Sequence, residues 1–363
     1  MGHNYLAGIT AGDWWRLLRE NGFAVDAPYW HRAAVITALS LVNSVHRWRE
    51  ERRWHEAIHG TAITAPPLFV LGHWRSGTTH LHNLLAQDVD QFAYANTYQV
   101  INPHTFLTTE AVNTRLFASL LPATRPMDRM ALSFQSPQED EFAPCLMTLK
   151  SPYVGVSFPT REAAYARYLS FRDASAEDVA EWKAAFVWFL KKLTLKYDGK
   201  ALLLKSPTHT ARVRLLLELF PDARFVHIHR HPYEVFRSFQ HYYDTATWYT
   251  YLQRPDRGAV DGEILRRYTE LHDALFADLP LVPAGRFHEL RYADLERDPV
   301  GQMATLYERL ELGGFDRYEP RLRAYLGTLR GYERNDFTPL PPDLRARVAH
   351  DWRRSFERWG YDA

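Results

Sequence analysis

Residues 68–85 read LFVLGHWRSGTTHLHNLL, and the interpretation of this stretch decides the fold. LFVLG (68–72) is a short, continuous apolar run, the pattern of a parallel strand buried on both faces. Gly72 and Gly77 stand at the spacing of the phosphate-loop pattern G-x-x-x-x-G-K-[ST], and THLHNLLAQD continues as a helix. A strand, a glycine-bounded turn and a helix N-terminus together form an anion site, because backbone N–H groups converge there and the helix dipole favours negative charge. One position breaks the pattern. Where the lysine belongs stands Thr78, followed by Thr79, and the fixed cation is Arg75, whose planar fork suits phosphate oxygens. The missing lysine is the group that, with Mg²⁺, neutralises the γ-phosphate of ATP, so the loop suits a different anion and needs no metal.

Outward from this stretch, further short segments read as strands: FAYANTY (92–98), ALLLK (201–205), FVHIHR (225–230) and RFHELRY (286–292). Helical patterns separate them, the most amphipathic being EDVAEWKAAFVWFLKKLTLKY (177–197). Strands alternating with helices predict an α/β fold, three layers α/β/α around a central parallel sheet. Residues 1–65 read as a helical N-terminal extension ending at the breaker APP (65–67). Residues 66–363 read as the main domain, with a helical insert at about 105–198. Ligands of such sheets gather at the carboxyl ends of the strands. The loops after Gly72, Lys205, Arg230 and Arg291 are therefore where chemistry is expected.

The second such loop is FVHIHRHPYEVFRS. Arg230 ends a strand and Ser238 lies eight residues on, in the following helix, so the two can converge on one group. Coupled to the first loop, the pair implies a ligand with two separated anionic groups. On these motifs the sequence resembles the sulfotransferases that use 3′-phosphoadenosine 5′-phosphosulfate (PAPS), which have a P-loop-like fold. The resemblance implies that Arg75, Ser76, Gly77, Thr78 and Thr79 bind the 5′-phosphosulfate and that Arg230 and Ser238 bind the 3′-phosphate. It further implies that Tyr292, in Tyr292-Ala293-Asp294-Leu295, lies near the adenine. It runs over about 66–312, plus a C-terminal RNDFTPLP…FERWGY pattern like that of bacterial members. His231 replaces the Asp common after the family's arginine, which affects a local helix cap. The implied activity is transfer of a sulfuryl group from PAPS to a hydroxyl or amine of a small, partly apolar acceptor.

A sulfuryl group carries less charge than a terminal phosphate, so fixed donors on the leaving phosphate suffice. Arg75 and the backbone around Gly77 are assigned to charge on the bridging oxygen. Lys205, at the end of ALLLK, is a second cation aimed at the same ledge, or a strand-end cap. Deprotonating the acceptor needs a carboxylate or histidine within hydrogen-bond reach. The candidates are the cluster Glu139-Asp140-Glu141, with Glu139 and Glu141 ahead of His209, and His80 and His82 behind. Ser136-x-x-Glu139, with Pro137 between, reads as a capping box opening a helix, a structural duty that competes for Glu139. His227, His229 and His231 would share one strand face, but no Cys or carboxylate completes a metal set.

The 363-residue chain carries a net charge of +1, which argues against a nucleic-acid partner held by bulk electrostatics. Its single cysteine, Cys145, fits a reducing compartment, and no secretory signal is evident, so a cytoplasmic location is expected. AAVITALSLVNSV (33–45) is too short to span a bilayer and leads into the charged run HRWREERRW. The favoured reading is a helix packed on the protein with its charged face solvated; the sharper one is peripheral membrane contact through residues 33–54. Two other functions compete with the sulfotransferase: a P-loop kinase with a degenerate lysine, and a non-catalytic nucleotide-binding module.

Overall fold

A computed structural model describes residues 4–117, 124, 133–331 and 337–363. The chain forms two compact units: Met1–Thr64 with Ala95–Lys200 and Asp244–Gly258, and Ala65–Tyr94 with Ala201–Tyr243 and Ala259–Ala363.

The second unit contains the sheet. Its strands are β1 (Leu68–Leu71), β2 (Phe92–Tyr94), β3 (Ala201–Lys205), β4 (Arg224–His229) and β5 (Phe287–Arg291). They run in the order β2-β3-β1-β4-β5, and every pairing is parallel. The runs read as strands in the sequence thus all lie in one sheet. Alternate side chains of a strand face opposite sides. On one face Leu68, Val70, Leu203, Val226, Ile228 and Leu290 pack with Leu81, Leu84, Met303, Leu306 and Tyr318 from helices. On the other, Phe69 stacks on Phe225 at 5.6 Å and meets His209 edge-on at 5.4 Å, while His227 lies 6.2 Å from His272 of the helix Val260–Asp278. Helices cover both faces, which makes the three-layer α/β/α arrangement and explains why β1 is buried along its whole length.

The chain leaves β1 towards β2 on one side and reaches β4 on the other, so strand order reverses at β1. The crevice at its carboxyl end is where open α/β sheets bind ligands.

The first unit is helical. It includes α1 (Ala11–Glu20), α2 (Trp30–Gly60) and the helix Ala176–Lys196, predicted at 177–197. Trp182 stacks on Phe186 at 5.0 Å, and Phe106 meets Phe189 edge-on at 5.9 Å. Lys192 is fully buried, donates to Glu50 and to the Pro103 carbonyl, and is pushed down to about 8 by burial, partly offset by the Glu50 charge. Glu50 Oε2 also accepts from the Thr108 amide at 2.9 Å, as a buried ion pair needs in order to offset its desolvation.

The capping box expected at Ser136–Glu139 does not form. The helix of this segment starts later, at Phe142–Thr148, and Ser136 Oγ accepts from the Ser133 amide instead. Thr97 N and Ala95 O bond to Ser136 O and Gln138 N, drawing residues 136–138 into an extended pairing that a helical first turn could not make.

Candidate active site

The loop after β1 is built on left-handed backbone. Gly72, Arg75 and Gly77 have φ of 144°, 71° and 103°. At Gly72 a Cβ would lie 2.6 Å from the Ile228 carbonyl oxygen, and at Gly77 it would lie 2.3 Å from Cδ2 of Tyr292. Both glycines are therefore required by close approach as well as by φ. Gly77 precedes α3 (Thr78–Leu85) and offers no side-chain cap to the first-turn N–H groups. Inside the turn, Ser76 Oγ donates to the His73 carbonyl at 2.8 Å.

The predicted cofactor residues come together around this turn. Arg75 Nε donates to Ser238 Oγ at 3.0 Å, joining the first anion loop to the Arg230-x7-Ser238 element. Ser238 is buried on the helix Pro232–Thr245. Tyr292, which opens the helix after β5, lies against Gly77, and the Arg230 guanidinium sits 4.7 Å over its ring. Arg230 Nε also donates to Glu234 Oε2 at 2.6 Å. Lys205 is almost wholly buried beside β1, opposite Val70, and its ammonium donates to Thr79 Oγ1 at 3.5 Å. Thr78 is buried and Thr79 half-buried. Three cations (Arg75, Lys205 and Arg230), four hydroxyls (Ser76, Thr78, Thr79 and Ser238) and a helix start without a side-chain cap thus lie around one turn.

The candidate bases occupy different surroundings. Glu141 is fully buried and accepts from the Ser151 hydroxyl at 2.7 Å. Glu139 is only partly buried and accepts from the Tyr153 hydroxyl. Both belong to the helical unit. His209 belongs to the sheet unit and is fully buried, edge-on to Phe69. His80 is half-buried, its ring 6.5 Å from that of Tyr292, and burial holds it below the ordinary imidazole value. Trp74 is core, stacked on Phe239 at 5.9 Å.

Two contributors escaped the sequence reading. Thr210 Oγ1 accepts from the Gly72 amide at 2.8 Å and lies 3.3 Å from its carbonyl, pinning the start of the loop. It lies in the loop after Lys205, where chemistry was expected, but nothing in the sequence separates it from Thr208. Glu234 had a signal in its i,i+4 spacing from Arg230.

Histidines of β4 are structural. His227 Nδ1 donates to Glu289 at 3.0 Å, and His229 lies flat on Trp359 at 4.7 Å with Tyr361 Oη 2.9 Å from its Nδ1. His231 turns towards Tyr361, 4.9 Å away, instead of capping the helix. The C-terminal FERWGY pattern therefore braces β4, whose end at His229 directly precedes Arg230. Of the accompanying RNDFTPLP, residues 334–336 lie outside the described residues.

Burial holds His73 and His229 down to about 3, and His272 well below its ordinary value of 6.5. Above pH 6.5 both folded and unfolded chains keep these imidazoles neutral. Between pH 6.5 and about 3 only the unfolded chain takes up their protons, so stability falls as pH falls. Each such group contributes a slope of about 1.4 kcal/mol per pH unit. Urea midpoints should therefore drop clearly from pH 7 to pH 5.5; a flat profile would show that these rings are protonated in the fold.

Comparison with known proteins agrees with this geometry. A sequence model described as "Sulfotransferase family" matches residues 66–317. Omega-hydroxy-beta-dihydromenaquinone-9 sulfotransferase Stf3 of Mycobacterium bovis (strain ATCC BAA-935 / AF2122/97) is 39% identical over 359 residues, covering 98% of this chain and 90% of that protein. The protein of the same name in Mycobacterium tuberculosis (strain CDC 1551 / Oshkosh) matches to the same extent. Among solved structures, sulfotransferase STF1 from Mycobacterium tuberculosis H37Rv superposes with a TM-score of 0.69 at 17% identity, covering 94% of this chain and 90% of that one. Sulfotransferase STF9 from Mycobacterium avium gives 0.68 at 19%, covering 98% and 97%. These last two share the fold. The family match and the 39% identity replace the kinase alternative, and the chain belongs to the sulfotransferase family.

Proposed function

We propose that the enzyme transfers a sulfuryl group from PAPS to the hydroxyl of a lipid of the menaquinone type. The observation that carries the donor half is the hydrogen bond from Arg75 to Ser238, which makes two anion-binding elements one site. The acceptor half is supported by the relative named for a hydroxylated dihydromenaquinone, similar over 98% of this chain.

The residues present fit a nucleotide with two separated anionic groups. PAPS supplies a sulfuryl group on a phosphate leaving group. The turn Ser76–Thr79 and the start of α3 hold the 5′ side, and Arg230 and Ser238 hold the 3′-phosphate. Tyr292, fixed between Gly77 and Arg230, offers its ring to the base. The acceptor oxygen forms a bond to sulfur while the sulfur–oxygen bond to the phosphate breaks, giving a sulfate ester and 3′,5′-ADP. Arg75 and Lys205 stabilise the charge that collects on the leaving phosphate. A carboxylate takes the hydroxyl proton, and Glu139 is preferred to Glu141 because it is not fully buried.

Incubating the enzyme with PAPS and a membrane-lipid extract should yield one lipid heavier by one SO₃ by mass spectrometry. Products confined to water-soluble hydroxyl compounds would overturn the acceptor assignment. For the donor, 3′,5′-ADP should bind far more tightly than 5′-AMP, and Arg230→Ala should erase most of the difference. Losing one charge-assisted contact costs roughly 1.5–3 kcal/mol, about one to two decades in affinity. Equal calorimetric affinities for the two nucleotides in the unmodified enzyme would remove Arg230 and Ser238 from the 3′-phosphate site.

A further inference from the structure

Along its middle turns, helix α2 directs large apolar side chains outward and polar ones inward. Beside the buried Ile36 its inward face carries polar groups: Asn43 Nδ2 donates to the carbonyls of Ala7 and Ile9, and Ser44 Oγ accepts from the Ala11 amide at 2.8 Å. Ser40 is almost fully buried. The outward face carries Leu41, Val42, Val45 and Trp48, each between 50 and 59% exposed, at the i, i+1, i+4, i+7 spacing of one stripe. An ordinary surface helix shows the opposite arrangement, polar outside and apolar inside.

Three further features describe what the stripe meets. From Ala33 to Val45 there is no charged residue, and Trp30 and Trp48, both exposed, stand at the two ends of a stretch about 27 Å long. Beyond Trp48 the helix presents Arg49, Arg52 and Arg53 to solvent, against Glu51 and Glu56. Arg52 lies 4.8 Å over the Trp48 ring, at the junction of apolar and basic zones. Exposed apolar side chains also concentrate in this unit: of fourteen large ones among the described residues, only Val89 and Leu281 lie outside it. An apolar strip between tryptophans and followed by arginines complements the acyl boundary and the anionic headgroups of a bilayer. Among the described residues no helix is long and apolar enough to cross a membrane, so the fit is to its surface.

We propose that the outer face of α2, from Trp30 to Arg53, seats the enzyme on an anionic lipid bilayer. The inference rests on the lipid-acceptor reading only for its purpose, since such an acceptor resides in a membrane. The helix buries its stripe in the headgroup and acyl boundary, and the arginines select anionic lipid.

The full chain should co-sediment with vesicles of phosphatidylglycerol and phosphatidylcholine, bind phosphatidylcholine alone more weakly, and be released by salt. The variant Leu41→Ser/Val42→Ser/Val45→Ser should lower vesicle partitioning by about 10–100-fold, the loss expected for roughly half-burying three aliphatic side chains. It should keep its melting temperature, because those side chains are exposed, and its turnover of a water-soluble acceptor. Arg49→Glu/Arg52→Glu should lose at least about tenfold on anionic vesicles only. No sedimentation of the unmodified protein, or equal binding by the serine variant, overturns the proposal. So does a dimer in vesicle-free solution that the serine variant abolishes, which would give the face to a second copy. Stripe-dependent binding without sulfation of any vesicle lipid supports the membrane surface while refuting the lipid acceptor, so the two readings fail separately.

Discussion

Replacing Arg75 by alanine should lower kcat by about 10²–10³-fold, the scale of losing one preorganised donor to a developing oxyanion. Two constraints make this arginine preorganised. Its backbone sits in the left-handed region at φ 71°, and its Nε is held by Ser238 at 3.0 Å, which fixes the guanidinium plane. In sulfuryl transfer most of the developing charge lies on the leaving phosphate, by analogy with loose phosphoryl transfer, so the loss falls on the chemical step. Arg75→Lys keeps the charge but gives up both the fork and the Nε bond, and should recover only part of the rate. Single-turnover measurements at saturating PAPS separate this from weaker binding. A rate within threefold of the unmodified enzyme would remove Arg75 from the transition state.

Glu139→Gln should slow transfer by roughly 10²–10⁴-fold while leaving affinity for 3′,5′-ADP unchanged, as expected for loss of a general base. Glutamine still accepts from the Tyr153 hydroxyl, and no capping box depends on Glu139, so the melting temperature should hold. The defect should shrink for acceptors with a more acidic hydroxyl, which need less help to lose a proton. Glu141→Gln is the contrast. Its carboxylate is fully buried against Ser151, and changing it should affect stability more than rate. If both variants keep full rate and His209→Ala does not, the base is the histidine.

The three inner strands were legible because they are buried on both faces. LFVL and ALLL are continuous apolar runs, FVHIH alternates apolar residues with buried histidines, and helical periods between them forced parallel crossovers. The loop after Leu71 was legible for a similar reason: only glycine tolerates the close approach of Ile228 and Tyr292, so the requirement is written into the residue type. Other features were settled by distant partners. The reading of Ser136–Glu139 as a helix start followed a sound local rule, and lost to pairing with residues 95–97. Ser238 was expected to converge with Arg230 on one group; its bond to Arg75, 163 residues away, was not legible, because it arises where the sheet's switch point brings the two loops together. Thr210 could not be told from Thr208, since which hydroxyl reaches Gly72 depends on the turn of a single short 3₁₀ helix. Residues 33–54 carried their apolar and basic pattern openly, but not its direction. The sequence by itself determined a parallel α/β sheet with a glycine-bounded loop at its centre strand, because buried strands and crowded glycines restrict residue type locally. Only the tertiary structure decided which side of α2 faces outward and which side chains meet across the site, because those depend on packing between segments far apart in the chain.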